Sequence, residues 1–137
     1  MEYKPSELPS ATALAFLGDA VHSAYVREML LRRGIPKTGE LSRLSLLYVT
    51  AEKQAEAFRL IEPILTEDER DTARRASNSK HLSRPHHAKI ADYRLATGLE
   101  AILGMHRLLG NEARIRELMA LATTDEPFGN ADTANAE

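Results

Sequence analysis

Apolar residues recur along most of this chain at intervals of three and four. Leu14, Leu17, Val21, Ala24 and Tyr25 mark one face of a helix, with Ser10 placed as its N-cap. Gly34 followed by Pro36 is a helix stop, so this first helix ends there. A second helix is expected from about Thr38, with Leu41, Leu44, Leu47 and Tyr48 on one side. Thr50 then caps a third, which carries Ala51, Ala55, Phe58 and Ile61 and stops at Pro63. Thr66 and Glu69 have the spacing of a capping box and open a fourth. A fifth runs from near Lys89 through Leu95, Leu99, Ile102 and Leu103 to Gly110. The last begins near Asn111 and carries Ile115, Leu118, Met119 and Ala122. No segment holds the strict alternation of a half-buried strand, and no stretch repeats another. The expected fold is all-α.

Composition points the same way. Leu and Ala outnumber Val and Ile, and the chain has four Tyr, three Phe and no Trp. Sandwiches and barrels lean on β-branched and aromatic residues. The same scarcity argues against gripping single strands by stacking bases on aromatic platforms. A length of 137 residues suits one domain with a sizeable core. Eighteen Lys and Arg against twenty Asp and Glu give a net charge of −2, which excludes a uniformly basic coat and leaves local patches open.

The absence of cysteine excludes disulfides, thiolate zinc sites and a cysteine nucleophile. No apolar run approaches the roughly 18 residues of a membrane span. Glu2, Lys4, Glu7 and two prolines within the first ten residues do not read as a signal peptide. These features predict a cytoplasmic, one-domain protein with no membrane partner. The domain is expected over residues 1–124. Residues 125–137, with four acids and no base, are expected to form a disordered tail.

Two features carry candidate chemistry. From Thr72 to Ala91 there is no acid, while Arg74, Arg75, Lys80, Arg84 and Lys89 supply fixed positive charge. Asn78, Ser79 and Pro85 disfavour helix, so much of the stretch is expected as an exposed loop. Cations on such a segment suit phosphate contacts, and equally suit a solvated face balanced by acids elsewhere. His81, His86 and His87 lie in the same stretch, but their spacing lacks the logic of a helix face and disfavours a histidine metal site.

The second feature is a pair of lone acids within apolar helix segments. Asp19 lies in Phe16-Leu17-Gly18-Asp19-Ala20-Val21, and Glu100 in Leu99-Glu100-Ala101-Ile102-Leu103-Gly104. Either acid alone reads as the solvent side of an amphipathic helix. Gly18 and Gly104, however, each weaken a helix interior by about 1 kcal/mol relative to Ala. Such glycines mark close helix approach, which would bring an acid near a neighbour. Two acids drawn together repel unless a cation joins them. Oxygen ligands favour magnesium, which takes one or two carboxylates and keeps several waters.

These motifs also carry a family resemblance. The segment from Phe16 to Val21 resembles the signature of ribonuclease III catalytic domains, and Glu100-Ala101-Ile102-Leu103-Gly104 resembles their second acidic motif. Arg74-Arg75-Ala76-Ser77-Asn78-Ser79-Lys80 and Tyr93-Arg94 are similar to one branch, Mini-ribonuclease III. The resemblance extends from about Leu14 to Leu121. It implies an all-helical homodimer that cuts double-stranded RNA with Mg2+, or with Mn2+ as an alternative. It further implies a role in trimming the precursor of large-subunit ribosomal RNA. By position, Asp19 and Glu100 would be the catalytic metal ligands. Arg74, Arg75, Asn78 and Lys80 match the RNA-contacting loop of the branch, and Arg84 and Lys89 extend that basic set.

Where full-length ribonuclease III has two further acids, this chain has Ala15 and Thr97, a loss that the Mini branch shares. No double-stranded-RNA-binding domain is expected after Leu121, so grip on RNA is expected from the catalytic domain itself. Phe16, beside Asp19, is a candidate for the dimer interface or for the core. Two other classes compete: a non-catalytic helical RNA-binding module, and a helical nucleotide pyrophosphohydrolase. The latter needs several acids clustered at i, i+3 and i+4. The one acidic cluster, Glu67-Asp68-Glu69 with Asp71, reads instead as the negative first turn of a helix.

Overall fold

The computed structural model describes residues 3–79 and 89–124. Six α-helices carry them: α1 (Ala11–Arg32), α2 (Thr38–Val49), α3 (Ala51–Ile61), α4 (Glu67–Ser77), α5 (Ile90–Leu109) and α6 (Glu112–Ala122). Single 3-10 turns occupy Pro5–Glu7 and Glu62–Ile64. No strand occurs among the described residues, and the fold is all-α as expected.

The helix ends follow from local side-chain chemistry. Ser10 Oγ accepts a hydrogen bond from the Ala13 N–H at 3.2 Å, and Thr50 Oγ1 one from Lys53 at 3.3 Å. At Thr66 both halves of the capping box form, with Glu69 Oε1 accepting from the Thr66 N–H at 2.8 Å. Gly34 and Gly110 follow α1 and α5 at φ 83° and 77°, a left-handed conformation that a β-carbon disfavours.

Helix α5 is the centre of the molecule, packed against α1, α3 and α4. Apart from Glu100, every residue from Ala96 to His106 is buried, as expected of a helix apolar nearly all round. Helix α2 lies on α1, and α6 on α3 and α5. Leu30, Ile61, Leu99, Ile102, Leu103, Leu118 and Met119 are the large side chains fully withdrawn from solvent in the main core.

The stretch expected as a loop from Thr72 is partly helical. Helix α4 continues to Ser77, which places Arg74 and Arg75 in its last turn, and α5 begins at Ile90. Packing explains the difference. Thr72, Ala73 and Ala76 are buried, and Gly98 of α5 leaves room for Ala73, whose Cβ would lie 3.2 Å from a β-carbon at that glycine. Tertiary burial of this kind outweighs weak local preference. Asn78 acts as the C-cap of α4, its N–H bonded to the Arg74 carbonyl at 3.0 Å. Lys80, His81, Arg84, His86, His87 and the tail 125–137 lie outside the described residues.

Candidate active site

The site is set by the crossing of α1 and α5. A β-carbon on Gly18 would fall 1.5 Å from the Glu100 carbonyl oxygen, and one on Gly104 would fall 1.9 Å from that of Leu14. Only glycine allows the two backbones to touch in this way. Asp19 follows Gly18, and Glu100 is the residue that Gly18 abuts. The crossing therefore sets the two carboxyl groups side by side, in hydrogen-bonding contact. Glu100 is half-buried and Asp19 exposed, so the pair opens to solvent on the Asp19 side.

Two carboxylates in contact resist being charged together. Burial pushes Glu100 up to about 9, the hydrogen bond and charge of Asp19 push it further the same way, and a hydrogen bond from Gln54 opposes both. Near neutral pH the pair accordingly holds a proton where a cation would otherwise sit. This oxygen-only donor set fits a hard divalent ion such as Mg2+ or Mn2+. Ala15 and Thr97 add no carboxylate, and the Thr97 hydroxyl donates to the Tyr93 carbonyl of its own helix at 2.8 Å. Among the described residues no group of three or more His, Asp or Glu side chains could hold a metal. The acids brought together are the two expected, Asp19 and Glu100.

Two polar residues behind the pair were not anticipated from the sequence. Gln54 of α3, 4% exposed, donates to Glu100, and its Nε2 lies 3.4 Å from Nδ1 of His22 on α1. Burial pushes the His22 imidazole down to about 4, against the upward pull of the Asp19 charge, so it is neutral at physiological pH. The signal for Gln54 was present in the chain. It stands at i relative to Phe58 at i+4 and Ile61 at i+7, a polar residue on the buried stripe of α3.

A second buried acid takes no part in this pair. Glu69 lies with Glu67 and Asp68 in the negative first turn of α4, as expected, and is also buried, at 1% exposed. Burial would raise its pKa, yet Arg114, His106 and the Thr66 N–H hold its carboxyl well below the usual range. Arg114 reaches it through Nε at 2.9 Å and a terminal nitrogen at 2.7 Å, and His106 Nε2 lies at 2.6 Å.

The basic residues stand apart from the core. Arg74 and Arg75 both pair with Asp71, Arg75 at 3.1 Å, and their side chains remain 65% and 60% exposed. Asn78 and Lys89 are exposed as well. Phe16 is 84% exposed, which removes the core alternative for it.

Comparison with known proteins agrees with this arrangement. The Ribonuclease III domain family matches residues 12–110. The chain is 42% identical over 118 residues to Mini-ribonuclease 3 of Symbiobacterium thermophilum, covering 86% of this chain and 90% of that protein. It is 40% identical over 121 residues to Mini-ribonuclease 3 of Kosmotoga olearia, covering 88% and 81% respectively. The crystal structure of protein FN1578 from Fusobacterium nucleatum superposes with a TM-score of 0.81 at 29% identity, covering 90% of this chain and 95% of that one. With the family matched over residues 12–110 and these relatives matched over most of their length, the chain belongs to the ribonuclease III family of endoribonucleases, within its Mini-ribonuclease 3 branch.

Proposed function

We propose that this enzyme cleaves double-stranded RNA as a homodimer, with Mg2+ (or Mn2+ as an alternative) held by Asp19 and Glu100. Its substrate in this reading is the precursor of large-subunit (23S) ribosomal RNA, met in the cytoplasm. The observation that carries the proposal is the acid pair at the glycine crossing, two carboxyl groups forced together with Glu100 pushed up to about 9. Such an arrangement opposes its own ionisation and calls for a cation.

When bound, the ion supplies Lewis-acid polarisation of the scissile phosphate and an activated water. The chain does the rest. Asp19 and Glu100 would hold the ion through their carboxylates, the Glu100 proton passing to solvent. Gln54 donates to Glu100 from behind and favours its charged form. Arg74, Arg75, Asn78 and Lys89 supply exposed donors for phosphates. Lys80 and Arg84 belong to the same set by sequence. Little base sequence is read, because the A-form major groove is too deep and narrow for side chains. On α1, Phe16 at 84% and Leu31 at 59% exposure share a face with the exposed Ala20, Ala24 and Arg27. Covering that apolar face with a second copy gives one acid pair per strand of the duplex.

The test is cleavage of end-labelled duplex RNA with and without Mg2+, for wild type, Asp19→Asn and Glu100→Gln. Wild type should cut only with the ion, and both variants should bind duplex in Ca2+ without cutting. Near-normal cleavage by both variants would overturn the acid pair. Binding by wild type with no cleavage under any divalent ion would instead favour a non-catalytic RNA-binding module.

A further inference from the structure

We infer that Gln54 is the positioning residue for Glu100, and that His22 braces the Gln54 amide from behind. The inference rests on the acid-pair reading above and extends it to two residues behind the pair. A primary amide has two unlike ends. Its nitrogen donates two hydrogens, while its oxygen only accepts and would repel a carboxylate. The useful orientation therefore puts Nε2 of Gln54, the end that also lies beside His22, toward Glu100, to which Gln54 is hydrogen-bonded.

The second hydrogen on Nε2 points toward His22 Nδ1 at 3.4 Å. A neutral imidazole protonated on Nε2 leaves Nδ1 free to accept. His22 is 2% exposed, and burial keeps it neutral. Turning the amide over would set its oxygen against the Glu100 carboxylate and leave Nδ1 without that donor. With the Nε2-protonated tautomer of His22, the histidine thus braces the amide in the orientation that serves the acid. Gln54 comes from α3, His22 from α1 and Glu100 from α5, so this short chain ties three helices at the crossing.

Its location argues for a purpose beyond packing. Gln54 lies on the same buried stripe as Phe58 and Ile61, where an apolar side chain would fill the space without a polar group to desolvate. A donor placed there instead holds the Glu100 carboxyl in place. Outer partners of metal ligands act in this way, by orienting the ligand and tuning its basicity.

The test uses the full chain and the metal alone as probe. Mn2+ binding is followed by loss of the free-ion paramagnetic resonance signal, and the Mg2+ concentration for half-maximal cleavage is read at saturating duplex RNA. Gln54→Met keeps the length of the side chain and removes the amide. It should raise both metal concentrations by about tenfold, the low end for loss of an outer-shell partner. Duplex affinity in Ca2+ should not change. His22→Phe should raise them by a few-fold, and the double variant should be no worse than Gln54→Met alone, because His22 acts through the amide.

Metal requirements within twofold of wild type in folded Gln54→Met would overturn the inference. So would fully additive effects, which a merely structural role would produce. If Gln54→Met does not fold, an unchanged metal requirement in His22→Phe overturns it equally. Asp19→Asn separates the two levels: normal metal binding and cleavage there would sink the acid-pair reading itself, whereas a dead Asp19→Asn beside a normal Gln54→Met would sink only the role of Gln54.

Discussion

Glu69 and Glu100 are both carboxyl groups drawn into a mostly apolar helical core, and both sit against or on α5. Glu69 receives two hydrogen bonds from Arg114, one from the Thr66 N–H and a contact from His106, and its carboxyl is held well below the usual range. Glu100 has one donor, Gln54, and faces another acid, and it is pushed up to about 9. The first group is complete and has no room for a newcomer. The second is left short of positive charge by the fold itself, through a pair of glycines that hold α1 and α5 together. A structural carboxylate and a candidate functional one are thus told apart by what remains unsatisfied, more than by depth of burial.

Removing the candidate catalytic acid, Glu100, should give the largest change in activity and no loss of stability. Glu100→Gln keeps the volume and discards the charge that an ion would need. Cleavage of duplex RNA should fall by roughly a thousandfold or more, since metal stabilisation of the transition state is worth several kcal/mol. In metal-free protein the melting temperature near pH 7 should not fall and should rise, because Glu100 must take up a proton to fold there and the neutral amide need not. Single-turnover cleavage beside a thermal melt checks both halves, and a large loss of stability would contradict the contrast.

Glu69→Gln should behave in the opposite way. Arg114, whose side chain is only 22% exposed, would lose the charge it is bonded to. Breaking a buried pair on one side costs about 3 kcal/mol, here about 10 °C in melting temperature. Below its own melt the variant should keep the metal requirement of the wild type. A shift in that requirement would show that the two acids are coupled through α5.

These two acids also mark what the chain discloses and what it conceals. The six helices were legible because their ends depend on neighbours in sequence: Ser10, Thr50 and the Thr66–Glu69 pair cap locally, and Gly34 and Gly110 stop locally. Asp19 and Glu100 were legible because glycine inside a helix is unfavourable unless something comes close. The burial of Glu69 was not legible because its partner Arg114 is 45 positions away, and the negative first turn it does occupy accounts for the same acids. Gln54 and His22 are 32 positions apart and meet only after α1 and α3 pack. The helical course of Arg74 and Arg75 depended likewise on the burial of Thr72, Ala73 and Ala76.

The pH dependence of stability sharpens the contrast further. A folded-state pKa raised above its ordinary value means the native protein binds the extra proton, so stability is lost as pH rises. For Glu100 that window runs from 4.5 to about 9. Glu69 is shifted the other way, so its contribution is present above 4.5 and is lost as pH falls below that value. His22 adds to the acid side between 6.5 and about 4, where the unfolded chain takes up the proton first. Thermal melts of metal-free protein should therefore show an alkaline decline that Glu100→Gln or added Ca2+ removes. The acid decline should survive both. An alkaline decline that persists in Glu100→Gln would assign it to some other group.

The smallest effect is expected at the surface, where Arg74 and Arg75 share Asp71. Exposed ion pairs of this kind are worth about 0–1 kcal/mol, so Asp71 restrains the two arginines only lightly and a phosphate can compete for them. Each phosphate contact displaces condensed counterions, and losing one should flatten the log–log dependence of affinity on salt by roughly one unit or less. Neutralising both arginines to Gln should weaken duplex binding in Ca2+ and lower the slope by up to about two units. Asp71→Asn should do the reverse, raising affinity modestly by freeing both side chains. Neither change should alter the Mg2+ requirement at saturating RNA, because the acid pair lies on α1 and α5. An unchanged slope in the double variant, with no gain from Asp71→Asn, would make this turn of α4 a solvated face whose charges are balanced by Asp71 alone.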